Sequence, residues 1–433
     1  VFLDGGRRRV LGGAVPVSRR RPFPYRQGMA IESPTTSPAV QRLDTSLRGD
    51  LDSLRAEGLF RPLRVLESPQ MAEVVIGGRR LVNLSSNNYL GLNTHPRLIE
   101  AAARAANEWG AGSGAVRTIA GTQTIHEELE ARLAAFKHTE AALCLQSGYT
   151  VNVGVIGSML ESGDCVVSDK LNHASIIDGI RLTKADRILY EHVDVDDAER
   201  ALKEARDKGY RRVLLITDGV FSMDGDIAPL PELVDRAERY DAAVMVDDAH
   251  GTGVLGRNGR GSTDHFDLHG RVALNIGTLS KAVGVVGGYV AASQTVRDHL
   301  IHRARPFLFS SSHPPAVVMA CVAAIDVLEQ EPELIERLWE NARYLKRGLA
   351  DQGFDTGRSQ TPITPVMCGE APQAMALSDA LLERGVFAQG IGFPTVARGR
   401  ARVRTIVTAT HTTEQLDLAV AAFGESGRAI GLL

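Results

Sequence analysis

The sequence predicts an α/β protein: a large domain built on a mostly parallel central sheet, followed by a smaller α+β C-terminal domain. Between residues 141 and 292, apolar runs of strand length alternate with longer segments of helical periodicity, the pattern of a sheet covered by helices on both faces. At 433 residues the chain exceeds the span of one hydrophobic core, and a second group of strands and helices follows a charged helical stretch at 334–349.

Residues 1–44 read as a disordered leader. Arg7, Arg8, Arg9, Arg19, Arg20, Arg21 and Arg26 face only Asp4 before Met29, and Pro16, Pro22, Pro24 and Gly28 interrupt any helix. Such a stretch has the arginine bias of a transit peptide but no amphipathic pattern, which favours an extension upstream of a start at or near Met29. Residues 45–90 form a second segment. Leu47, Leu51, Leu54 and Leu59 predict an amphipathic helix over 45–60, and runs at 73–76 and 79–84 flank Gly77-Gly78 as a hairpin does. The large domain, 91–330, takes its strands from 141–145, 165–168, 187–190, 213–217, 243–247, 273–277 and 288–292. The small domain, 331–433, has a leading helix at 334–349, strands at 363–367, 386–389 and 402–407, and helices at 374–384 and 413–423.

Composition excludes several functions. A formal net charge of −3 gives no footprint for a polyanion, so nucleic acid is not an expected partner, and a DNA-reading regulator has no basic module in the folded region. No apolar stretch approaches the ~20 residues that cross a bilayer, so no membrane association is expected. Cys144, Cys165, Cys321 and Cys368 have neither metal-ligand nor disulfide-framework spacing, which points to no metal and to a reducing, cytoplasmic setting.

Ligands of open α/β sheets bind beyond the carboxyl ends of the strands, and the chemically distinctive residues cluster there. Lys281 follows the strand at 273–277 with Thr278 and Ser280 beside it, a setting for a lysine that holds pyridoxal 5'-phosphate as an aldimine while hydroxyls bind the phosphate. Asp247 would keep the pyridinium nitrogen protonated; taken alone it also reads as a turn cap. Ser147, Gly148 and Tyr149 open a helix whose free amides suit an anion, although Ser147 alone reads equally as an ordinary N-cap. Tyr149 and His173 offer flat faces for a pyridine ring. His250 and Ser222 would reach its phenolic oxygen. Arg402 and Arg404 alternate around Val403 and so share a face, where one can fork onto a substrate carboxylate. Glu127, Glu128 and Glu130 read as a solvated helix face.

Five ordered motifs carry a family resemblance: Asn87-Asn88-Tyr89-Leu90-Gly91-Leu92, Asn172-His173-Ala174-Ser175-Ile176-Ile177-Asp178-Gly179, Thr217-Asp218-Gly219-Val220-Phe221-Ser222-Met223-Asp224-Gly225, Val246-Asp247-Asp248-Ala249-His250 and Gly277-Thr278-Leu279-Ser280-Lys281. From about Thr45 onward the chain resembles the α-oxoamine synthases, pyridoxal phosphate enzymes that condense an amino acid with an acyl-coenzyme A. The resemblance implies the aspartate-aminotransferase-type fold (fold type I) and a homodimer with a shared active site. Lys281 would be the aldimine lysine and proton-transfer base, Asp247 the partner of the ring nitrogen, and His173 would stack on the ring. It also implies Ser222 and His250 at the phenolic oxygen. Ser147, Gly148, Tyr149 and Thr278 would hold the phosphate with Ser310 of a second subunit, and Asn87 and Arg404 the substrate carboxylate.

Within the family the likeness is greatest to glycine C-acetyltransferase of threonine degradation, which joins glycine and acetyl-CoA into 2-amino-3-ketobutyrate and CoA. The alternative is 8-amino-7-oxononanoate synthesis in biotin biosynthesis, from alanine and pimeloyl-CoA with loss of carbon dioxide, or both activities in one protein. An aminotransferase is a third reading on the same fold. The loop at 109–122 is a hybrid: Val116-Arg117 and Gly121-Thr122 are similar to the acetyltransferase, and Gly112-Ser113-Gly114 to the oxononanoate enzyme.

Overall fold

The computed structural model describes residues 36–60 and 63–433. Most of the expected leader therefore lies outside the described residues. Residues 38–44, also assigned to that leader, are helical: α1 (Pro38–Ala56) begins where the Ser37 side chain accepts from the amide of Val40 and Pro38 occupies the first turn. A hydroxyl cap followed by a pre-set φ starts a helix earlier than the leucine spacing alone indicates.

The hairpin forms as expected from β1 (Glu73–Ile76) and β2 (Arg79–Asn83), paired antiparallel with Glu73 opposite Val82. Its turn needs two residues at positive φ, and Gly77 and Gly78 sit at 56° and 71°. Helices α2 (Pro96–Trp109) and α3 (Thr124–Lys137) then lead into the large sheet.

Glu130, expected in solvent, is buried at 3% exposure on α3. Its carboxylate accepts from Arg117 at 2.7 and 3.2 Å, from Arg297 at 3.1 Å and from the amide of Cys144 at 3.0 Å. Glu127 and Glu128 are exposed as expected. The helical step of about 100° per residue turns Glu130 onto the face of His126 and Leu133, both buried.

The large sheet has the strand order β3-β9-β8-β7-β6-β4-β5. Its members are β3 (Ala141–Leu145), β4 (Cys165–Asp169), β5 (Asp186–Tyr190), β6 (Val213–Asp218), β7 (Ala243–Asp247), β8 (Leu274–Thr278) and β9 (Gly288–Ala292), each within a residue or so of expectation. Only β9 runs against its neighbours. Alternate residues face opposite cores: Val213 and Leu215 join Val167 and Val244 on one side, while Leu214 and Ile216 join Val166 and Met245 on the other. Burial on both faces explains why these strands read as continuous apolar runs. After β3 comes α4 (Gly148–Met159), and after β4 comes α5 (Ala174–Arg181).

In the C-terminal region β10 (Ile363–Gly369), β13 (Ala401–Ile406) and β12 (Gln389–Ile391) form an antiparallel sheet. The single strand expected at 386–389 is divided, because β11 (Val386–Phe387) instead pairs in parallel with β2. The hairpin is thus hydrogen-bonded to the C-terminal region rather than standing apart from it. All four cysteines are buried and free. Among the described residues no helix is long and apolar enough to cross a membrane, and no acidic, histidine and cysteine side chains group as a metal site.

Candidate active site

A cavity of about 260 Å³ opens beyond the carboxyl ends of β3, β4, β6, β7 and β8. Nine of the residues singled out in the sequence line it: Ser147, Gly148, Tyr149, His173, Ser222, Asp247, His250, Thr278 and Lys281. The strand order places them together, since each lies on the loop or helix start that leaves this one edge.

The Lys281 amine has no ion pair or hydrogen bond among the described residues. Burial lowers its amine from the usual lysine range, and the charges of Asp247 and Asp218 counter this only in part. Both carboxylates stand opposite each other at the ends of β6 and β7. Burial first, then the neighbouring Asp247, pushes Asp218 well above the usual carboxyl range, and its Oδ1 has no partner among the described residues. Asp247 accepts from Asn152 Nδ2 at 2.6 Å and from the amide of Ala249 at 3.0 Å.

The same Asn152 amide group donates to Ser175 Oγ at 2.9 Å, and that hydroxyl lies 2.7 Å from His173 Nδ1. The histidine also caps α5 through the amide of Ser175, and burial lowers its pKa. This Asp247–Asn152–Ser175–His173 relay was not anticipated from sequence. Its signal was present: Asn152 is one helical turn beyond Gly148 and shares its face.

At the start of α4 the hydroxyl of Ser147 caps the amide of Thr150, so the N-cap reading holds. Gly148 and Tyr149 line the cavity and their amides have no acceptor among the described residues, as the anion reading also requires. Close approach is needed here, because a Cβ on Gly288 would lie 2.6 Å from the amide nitrogen of Gly148. Thr278 donates to Gly287 O at 2.9 Å and lies 2.8 Å from Ser280 Oγ. The hydroxyl of Tyr149 is held by Asp178 at 2.7 Å.

Four expected residues, Asn87, Arg402, Arg404 and Ser310, lie outside the cavity wall. Arg404 donates to Ser222 O at 3.1 Å and reaches Asn87 Oδ1 at 3.5 Å, so these two meet beside Ser222. Arg404 has no carboxylate partner among the described residues. Arg402, on the same face as expected, is committed to Asp224 at 2.6 Å and Met223 O at 3.0 Å. Ser310 does not line the cavity of its own chain.

A second cavity of about 630 Å³ shares Ser222 with the first. Leu171, Phe221, Met223, Met367 and Val396 give it apolar walls, and Arg358 and Arg400 line it without carboxylate partners among the described residues.

The aminotransferase class I and II family matches residues 79–423. Over 384 residues, 89% of this chain and 98% of the relative, the chain is 61% identical to the 8-amino-7-oxononanoate synthase of Symbiobacterium thermophilum. A serine palmitoyltransferase variant from S. paucimobilis with a bound PLP–myriocin aldimine superposes with a TM-score of 0.85 at 33% identity, covering 92% of this chain and 100% of that chain. The 8-amino-7-oxononanoate synthase of Francisella tularensis superposes at 0.68 with 25% identity, covering 81% of this chain and 98% of that one.

Proposed function

Because this chain belongs to the aminotransferase class I and II family, and within it to the α-oxoamine synthases, we propose that it is a pyridoxal phosphate-dependent 8-amino-7-oxononanoate synthase. It joins the α-carbon of alanine to the acyl carbon of pimeloyl-CoA, expels CoA as the thiol and releases the alanine carboxylate as carbon dioxide. The observation that carries this is 61% identity along 98% of a protein of that name. The acetyltransferase reading favoured by the sequence motifs is replaced, since no similar protein above carries that activity in its name. The aminotransferase reading also yields, as the solved neighbours are acyl-transferring synthases by name.

The site's residues fit the cofactor. Lys281 supplies an amine without an ion pair, Asp247 an acceptor for a ring nitrogen, and the open amides of α4 with Thr278 a seat for a phosphate. Pyridoxal phosphate bound there supplies an electron sink that stabilises negative charge at the substrate α-carbon.

The chain's own groups do the rest. Lys281, with its pKa lowered by burial, is the amine placed to take the α-proton. Asn152 holds the Asp247 carboxylate in place, and Ser175 fixes the ring of His173 against the cavity. Arg404, half-buried and without a carboxylate partner among the described residues, and Asn87 receive the amino-acid carboxylate and orient the α-carbon. Ser310 of a second subunit completes the phosphate site in a homodimer.

The second cavity supports the longer acyl group. It adjoins the first at Ser222, its walls suit methylenes, and Arg402 and His192 on its rim are already paired with Asp224 and Asp226. That leaves Arg358 and Arg400 against Asp355 alone for a terminal carboxylate. The test is kcat/KM measured side by side for alanine with pimeloyl-CoA and glycine with acetyl-CoA. We expect at least a tenfold preference for the first pair; equal or reversed values refute the assignment.

A further inference from the structure

Tyr89, between β2 and α2, is fully buried, and its hydroxyl oxygen lies 2.7 Å from Nδ1 of His250. The two rings meet edge to face, with centroids 6.1 Å apart and planes at 88°. Among the described residues neither the hydroxyl nor the imidazole has another hydrogen-bond partner. His250 also lines the cofactor cavity.

The charged and titratable groups around His250 are Tyr89, Lys281, Arg404 and His173. Burial first, then the Lys281 and Arg404 cations, keep the imidazole well below its usual range, so it is neutral and carries one ring proton. Burial likewise pushes the Tyr89 hydroxyl up, so it keeps its proton. If the ring proton sat on Nδ1, it would donate to the tyrosine oxygen, and the hydroxyl proton would have no acceptor in a dry interior. With the ring proton on Nε2, the tyrosine donates to Nδ1 and both groups are satisfied.

We propose that Tyr89 is a positioning residue: by donating to Nδ1 it fixes His250 as the Nε2–H tautomer, so that His250 meets the cavity only as a hydrogen-bond donor to an anionic oxygen. The inference rests on the cavity holding pyridoxal phosphate, whose ring oxygen is that acceptor. A donor there would draw charge from that oxygen and lower the pH at which the visible absorption of bound cofactor titrates. A carboxamide or a mobile imidazole in the same place does this less well.

Tyr89→Phe removes one oxygen and keeps the ring. In the holoenzyme the midpoint of the pH-dependent visible absorption should move up by about half a unit or more when that donor is loosened. In a His250→Asn background the same change should add nothing, because the relay has already been cut. Nitrogen-15 NMR of histidine-labelled full-length protein should show His250 protonated at Nε2 in the parent, with or without added cofactor, assigned by its loss in His250→Asn. An unmoved midpoint in Tyr89→Phe, an equal shift without His250, or a ring proton on Nδ1 each overturns the proposal. A parent protein with no visible band refutes the cofactor reading instead, and the NMR tautomer still decides the role of Tyr89.

Discussion

Replacing Glu130 by Gln removes one negative charge and one acceptor from a cluster of four hydrogen bonds. Arg117, whose side chain is 5% exposed, loses its counter-ion, and Arg297 loses an acceptor at 3.1 Å. The new amide must direct a donor at guanidinium groups that can only donate. A charge-assisted bond contributes about 1.5–3 kcal/mol, and breaking a buried pair from one side costs about 3–5 kcal/mol, so the second figure bounds the loss. For a chain of this size an m-value of about 4 kcal/mol/M converts that to a urea midpoint lower by about 1 M. Glu127→Gln, the same chemical change on the exposed side of α3, is the control and should stay within about 0.5 kcal/mol of the parent. Tryptophan fluorescence in urea measures both. Midpoints for the two variants within about 0.2 M of each other would refute the ion-pair accounting.

His192 lies between Asp169 at 3.1 Å and Asp226 at 2.9 Å, and although burial works against it, hydrogen bonds to these two carboxylates raise it to about 10. A folded-state value above the unfolded value of about 6.5 stabilises the protein fully below the latter, and this contribution is lost as pH rises through about 10. The stability difference between the parent and His192→Asn should therefore be largest near pH 6 and shrink toward pH 10; a difference that stays constant with pH would contradict the bridge. Lys281→Ala should abolish the visible absorption of bound cofactor while circular dichroism remains that of the folded parent. A retained band would move the attachment to another residue.

The sheet was legible in sequence because its strands are buried on both faces and bounded by turn residues, which leaves uninterrupted apolar runs such as 213–217 and 243–247. The grouping of residues at their carboxyl ends was legible too, since topology sends every loop from those ends to one edge, and nine of the chosen residues line the cavity there. Glu130 was misread because three glutamates in four positions look alike in one dimension, and only the helical angle and the distant Arg297 separate buried from exposed.

By itself the sequence determined the fold class and the strand edge at which the cavity opens, and it singled out the lysine, aspartate and histidine that line that cavity. Local pattern and residue type are enough for those, because they depend on periodicity and on position relative to strand ends. Tertiary structure alone decided how the groups meet: the relay from Asp247 through Asn152 and Ser175 to His173, the hydroxyl of Tyr89 on an imidazole 161 positions away, and Arg404 left without a carboxylate partner among the described residues. Protonation and tautomer follow from burial and from the nearest partner, and these are distances that no spacing along the chain encodes.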